Sequence, residues 1–206
     1  MRMESAGPII EFQGVWKYYP REQGENPVRG ILQDIKGSIQ VGKIISIVGP
    51  SGSGKSTLLS MANRMQTPDE GEIYFYGQDY RQYQVTELRR RIGLAHQTPT
   101  MLPGTVKDNI NYGPLLRKMP LSSHDMGALL DLLGLDRQFL ERSATELSGG
   151  EKQRVSLLRT LANNPEVLWA STKISLSAPC GPLFSSLPWG MCCKWFLLFI
   201  LGHIWS

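Results

Sequence analysis

Cysteine is missing from the first 179 residues of this 206-residue chain; the three present are Cys180, Cys192 and Cys193. That excludes a disulfide framework over most of the chain and fits a reducing compartment. The N-terminus, MRMESAGPII, has neither the apolar run of a secretory signal nor the Arg/Ser-rich stretch of a transit peptide. There is no internal repeat and no low-complexity tract. A composition with 41% hydrophobic and 19% charged residues excludes a disordered or collagen-like chain. The net charge of +4 is too small to imply nucleic acid by itself. Acidic residues stop at Glu166, after which Lys173 and Lys194 carry the only charges. Four of the five tryptophans, Trp169, Trp189, Trp195 and Trp205, also fall beyond Leu168. The chain thus divides into residues 1–168, long enough for a sizeable core, and an apolar tail, 169–206.

Hydrophobic spacing predicts strands at Ile9–Phe12, Ile31–Ile39, Lys43–Val48, Ile73–Tyr76 and Ile92–Ala95. A helix is expected from Gly54–Ser56 to about Arg64. A second is capped by Ser122 or Ser123, carries Met126, Leu129, Leu130 and Leu133 on one face, and stops at Gly134. A third runs from about Gly150 to Asn163. Strands alternating with helices imply an α/β core with a largely parallel sheet, into which residues 99–145 read as a mostly helical insertion.

Gly49-Pro50-Ser51-Gly52-Ser53-Gly54-Lys55-Ser56 matches G-x-x-x-x-G-K-[ST], with an apolar strand before it and a helix after it. Glycines let the backbone curl so that N–H groups point at phosphate oxygens, and the helix N-terminus adds partial positive charge. Lys55 has the reach for β- and γ-phosphates, and the Ser56 hydroxyl is a Mg²⁺ ligand. About 100 residues on, Leu147-Ser148-Gly149-Gly150-Glu151 opens another helix with a second anion-ready N-terminus. Two such loops suggest a nucleotide gripped from both sides.

Together these motifs resemble the ATP-binding subunits of ABC transporters, over roughly residues 9–168. Gly49–Thr57 is similar to the family's Walker A loop and Leu147–Glu151 to its signature loop. Gln97 resembles the Q-loop glutamine, and Tyr19 aligns with the aromatic that stacks on adenine, with Tyr18 as the alternative. Within the family the chain looks most like stand-alone subunits paired with a separate membrane protein, such as bacterial iron-export subunits and the plant subunit linked to aluminium tolerance. The resemblance implies a P-loop NTPase fold with a helical subdomain and ATP with Mg²⁺ as cofactors. It implies a head-to-tail pair of nucleotide-binding subunits, each ATP lying between one chain's Walker A loop and the other's signature loop. Lys55, Ser56, Thr57 and the loop residues Gly49, Pro50, Ser51, Gly52, Ser53 and Gly54 would hold nucleotide from one side. Ser148, Gly149, Gly150 and Glu151 would hold it from the other, while Gln97 contacts Mg²⁺ and the attacking water. A membrane permease subunit would dock on residues 99–145, placing the chain in the cytoplasm at a membrane surface.

The pattern breaks after Leu168. Trp169 and Ala170 keep the apolar character of the Walker B strand, but Ser171 and Thr172 stand where the family has Asp and the catalytic Glu. Neither replacement accepts a proton at neutral pH, and losing a general base costs about 10²–10⁴-fold in rate. The histidine switch and D-loop are not recognisable, which implies a C-terminally truncated domain with exposed strand edges prone to aggregation. Three readings of the tail stay open: a splice or read-through product that does not pack, a membrane segment, and an interaction tail. The functional readings are a transporter ATPase subunit, a non-hydrolytic ATP-binding module competing with a complete subunit, and a soluble ABC protein of DNA repair or translation; the single short domain argues against the last. Arg89-Arg90-Arg91 reads as a solvated face, His96 as a strand-end residue, His124 as a first-turn residue without function, and Cys192-Cys193 lacks metal-ligand spacing.

Overall fold

The computed structural model describes residues 7–19, 29–96, 98–170 and 197–199, with Tyr19, Arg29 and 197–199 as backbone only. Two sheets are present. The first is antiparallel and joins β1 (Ile10–Tyr19), β2 (Arg29–Ile39), β4 (Glu70–Phe75) and β5 (Gln78–Asp79) in the order β2-β1-β4-β5. The second is parallel and joins β3 (Ile45–Ser46), β8 (Leu197–Phe199), β7 (Val167–Ala170) and β6 (Ile92–Ala95) in the order β3-β8-β7-β6. The first two predicted strands therefore belong to a separate antiparallel layer, not to the parallel sheet. β1 also runs well past Phe12. Its Ile10 and Phe12 are buried, but Gly14, at φ +59°, slips the register before Val15 and hides the continuation from a period-2 reading.

Among the described residues five α-helices pack on these sheets: α1 (Lys55–Ala62), α2 (Val85–Arg91), α3 (Val106–Leu116), α4 (Ser123–Leu132) and α5 (Gly149–Leu161). α1 starts at the lysine of the phosphate loop, as expected. α4 takes Ser122 as its N-cap, the hydroxyl accepting the Asp125 N–H at 3.1 Å, and Gly134 follows it at φ +62°. α2 was not predicted, because Leu88 is its only buried side chain and so there is no apolar period. Three arginines in its last turn lie where the helix dipole favours cations.

Two hydrophobic clusters form the core. One gathers Leu58, Leu59, Met61 and Ala62 of α1 with Ile10, Ile73 and Phe75 of the antiparallel sheet. The other gathers Val106, Ile110, Met126, Leu130, Val155 and Leu158 of α3, α4 and α5. β7 is the wall between them: Val167 and Trp169 face the first, Leu168 faces the second, as the strand period requires. Trp169 and Ala170 are wholly buried, so packed structure continues two residues beyond Leu168. The backbone of Leu197–Phe199 lies in the sheet between β3 and β7. Ser171, Thr172 and the cysteines lie outside the described residues. Among the described residues no helix is long and apolar enough to cross a membrane.

Arg89 and Arg90 are exposed, as a solvated face requires, while Arg91 is half-buried. Arg89 donates to the carbonyls of Asn63 and Arg64 at 3.4 and 2.7 Å. Arg91 forms a two-pronged pair with Glu166 at 2.7 and 3.3 Å, its guanidinium 4.6 Å from the Phe75 ring centre and 5.5 Å from that of Tyr83. Arg89 fastens α2 to the end of α1 and Arg91 fastens it to the residue before β7, while Arg90 bonds the Thr86 carbonyl of its own helix.

Candidate functional site

The phosphate loop links β3 to α1. Gly52 and Gly54 sit at φ +79° and +83°, in the left-handed region that side chains disfavour. Gly54 has a second reason to be glycine: a Cβ there would lie 2.6 Å from Leu32 Cδ2 and 3.1 Å from the Ile31 carbonyl oxygen. α1 begins with no side-chain cap and no acidic residue in its first turn, leaving its N–H groups and positive pole uncompensated. Across the curl the Lys55 ammonium donates to the Gly49 and Pro50 carbonyls, each at 2.7 Å, and to Ser53 Oγ at 3.3 Å. Ser56 is exposed at the helix start and Thr57 half-buried. A loop with two left-handed glycines, holding a lysine and leading to an uncapped helix N-terminus with an exposed hydroxyl, fits a polyphosphate with its divalent cation.

At the second loop Ser148 is the N-cap of α5. Its hydroxyl accepts the Glu151 N–H at 3.4 Å, and Glu151 Oε2 accepts the Ser148 N–H at 2.8 Å, a reciprocal capping box. Arg142 Nη1 donates to Glu151 Oε1 at 2.7 Å. The Ser148 bonds first, then Arg142, hold the Glu151 carboxyl down to about 2. A Cβ at Gly149 or Gly150 would meet nothing within 4 Å, and neither residue has a positive φ. The fold of this chain therefore does not itself demand glycine there; an approaching ligand would.

The structure leaves the two loops separately satisfied: the bonds of Lys55 stay within its loop, and those of Ser148 and Glu151 stay with one another and Arg142. Ser56 opens on a cavity of about 480 Å³, shared with Ser60 of α1, His96 and Thr98 after β6, and Ser156 and Arg159 of α5. Gln97 lies outside the described residues. Tyr19 ends β1, and its side chain lies outside them too. Tyr18, the alternative, is engaged on the sheet: its hydroxyl donates to Glu70 Oε1 at 3.1 Å and its N–H to Asp69 Oδ2 at 2.7 Å. Sequence reasoning missed Arg142 and Arg159. Arg159 donates to the Thr100 carbonyl at 2.8 Å and is half-buried, which lowers its pKa; as a lone arginine on a helix it offers no spacing signal.

Glycine-bearing loop, lysine and uncapped helix, set on a parallel sheet, define a phosphate-loop nucleotide-binding domain. Residues 32–170 match the ABC transporter family, and the chain belongs to that family as one of its ATP-binding domains. It is 47% identical over 161 residues to YjkB, an ABC transporter ATP-binding protein of Bacillus subtilis, covering 78% of this chain and 62% of that protein. It is 43% identical over 164 residues to Protein STAR1 of Oryza sativa subsp. japonica, covering 80% and 46%. The chain thus spans between 46% and 62% of the length of these curated relatives. Among solved structures it resembles a dimeric ATP-binding cassette in a post-hydrolysis state bound to ADP and Pi, with a TM-score of 0.75 and 25% identity over 95% of this chain and 88% of that one. It also resembles a bacterial Atm1-family ABC exporter with ATP bound, with a TM-score of 0.72 and 28% identity over 96% and 35%. The family match ends at Ala170, the last residue of β7 and the one before Ser171.

Proposed function

We propose that the chain binds ATP with Mg²⁺ as the nucleotide-binding subunit of an ABC transporter, pairing head to tail with a second such subunit and serving a separate permease at the cytoplasmic face of a membrane. The phosphate loop carries this reading: left-handed Gly52 and Gly54, an uncapped α1 and the inward Lys55 ammonium form a cradle for negative charge. Lys55 would meet the β- and γ-phosphates, Ser56 and Gln97 would hold Mg²⁺, and Tyr19 would stack on the base. Bound Mg²⁺ supplies charge neutralisation between phosphate oxygens. Ser148, Gly149, Gly150 and Glu151 of the second copy would close the site, which accounts for glycines that this chain's own packing does not require. Residues 99–145, whose α3 and α4 pack with α5 in the second core cluster, would form the subdomain that receives the permease. The permease would select the transported substrate.

A second reading is favoured by Ser171 and Thr172, which follow β7 in place of the two carboxylates. On this reading the chain binds ATP and pairs without turnover, competing with a complete subunit. Binding of a fluorescent ATP analogue, sedimentation velocity with MgATP and phosphate release, all on the 206-residue chain, test both. Saturable binding that Lys55→Ala weakens by roughly 10–100-fold is expected; binding unchanged in that variant overturns the phosphate-loop assignment. Association without phosphate release supports the second reading, and turnover at an ordinary rate removes it.

A further inference from the structure

An acidic side chain at the third position of a helix is ordinary capping chemistry, but at α5 it creates a conflict. The same N-terminus that Glu151 caps is, on the reading above, the surface that meets the triphosphate of a second copy. A bare carboxylate there would repel the phosphates it adjoins. The structure provides a compensating charge. Arg142 Nη1 holds Glu151 Oε1 at 2.7 Å, while Oε2 is occupied by the Ser148 N–H at 2.8 Å.

Arg142 is itself held. Its carbonyl accepts the Val106 N–H at 3.0 Å, its own N–H donates to the Phe139 carbonyl at 3.3 Å, and its guanidinium lies 5.1 Å from the Phe139 ring centre. Two residues on, the Ala144 N–H donates to the Gly104 carbonyl at 2.9 Å, so the segment is pinned to the start of α3. Among the described residues, Arg142 is the cation that bonds Glu151. The Glu151 side chain is 18% exposed, and Ser148, Gly149 and Gly150 are open to solvent. Because the Glu151 N–H donates to Ser148 Oγ, the hydroxyl proton of Ser148 is free to point away from the helix.

We propose that Arg142 is a positioning residue for nucleotide-driven pairing: it neutralises Glu151 and holds it to the side, so that Ser148, Gly149 and Gly150 present donors to the triphosphate of a second copy. The inference rests on the head-to-tail site proposed above. It predicts that the harm of losing Arg142 lies in the charge left on Glu151, so that removing this charge as well cures it. A merely structural arginine would give no such rescue.

The test uses the whole chain with MgATP as the probe, comparing the wild type with R142Q, R142K and R142Q/E151Q by sedimentation velocity. Glutamine keeps a stem over Phe139, and at position 151 it keeps the capping box without the charge. R142Q should weaken ATP-dependent association by roughly tenfold, the scale of one lost charge-assisted hydrogen bond. R142K should associate like the wild type, R142Q/E151Q should associate more tightly than R142Q, and thermal melts of each variant report folding independently. Association of R142Q equal to the wild type, or a double variant as weak as R142Q, overturns the inference. The same samples titrated with a fluorescent ATP analogue separate the two ideas, because Arg142 lies outside the phosphate loop and analogue binding should not change. A wild type that binds the analogue but never associates removes the head-to-tail reading and the role of Arg142 with it. A wild type that associates, with a flat variant series, removes only the role of Arg142.

Discussion

Lys55 gives its ammonium protons to the carbonyls of its own loop, which ties the curl together. Replacing it by alanine removes a charge-assisted contact to the ligand, worth about 1.5–3 kcal/mol. ATP affinity should therefore fall by roughly 10–100-fold, measured by titrating a fluorescent analogue. Glu151 makes a pH prediction. Its folded carboxyl lies at about 2, below the ordinary 4.5, so the stability it contributes is complete above about pH 4.5 and disappears as pH falls through 2. Between those limits the melting temperature of the wild type should drop more steeply than that of E151Q. Parallel slopes would show that the charge on Glu151 adds nothing to stability.

At the scale of elements, Gly54→Ala forces a side chain into the left-handed region and toward Leu32 Cδ2, 2.6 Å from where its Cβ would be. The backbone alone costs about 1–2 kcal/mol, so a lower melting temperature and weaker nucleotide binding are expected together. Leu158 of α5 is wholly buried in the helical cluster. Leu158→Ala should cost about 2–5 kcal/mol in chemical denaturation, without touching either loop. The elements legible in the sequence were those whose signal is local. The phosphate loop, the Ser148 cap of α5, the Ser122 cap of α4 and strand β6 all combine a turn or cap with an apolar period. What escaped depends on distant partners. The split into two sheets is set by how β1 pairs, the length of β1 is masked by the Gly14 bulge, and α2 is held by Arg89 and Arg91 rather than by an apolar face. Arg142 escaped for the same reason, since its partner Glu151 is nine positions away. Gln97 was legible as a motif but lies outside the described residues.

For the whole molecule, β3 is an edge of the parallel sheet among the described residues, beside Ile44 and Val48, which are 52% and 72% exposed. An edge strand with apolar neighbours invites pairing with other chains. Without nucleotide, the purified chain is expected to form large assemblies as concentration rises, detected by light scattering; Ile44→Lys should suppress them. A wild type that stays monomeric at high concentration would show that this edge is protected in solution.

β7 has one further consequence. Its four residues are buried, Val167, Leu168 and Trp169 divide their side chains between both clusters, and Glu166, just before it, is clamped by Arg91. Neither half can lose its order without stripping one side of this strand, so the halves should not melt one after the other. Calorimetry should record a single transition whose van't Hoff and calorimetric enthalpies agree. Circular dichroism of the helices and fluorescence of buried Trp169 should then trace the same curve, although one follows the helical cluster and the other the sheets.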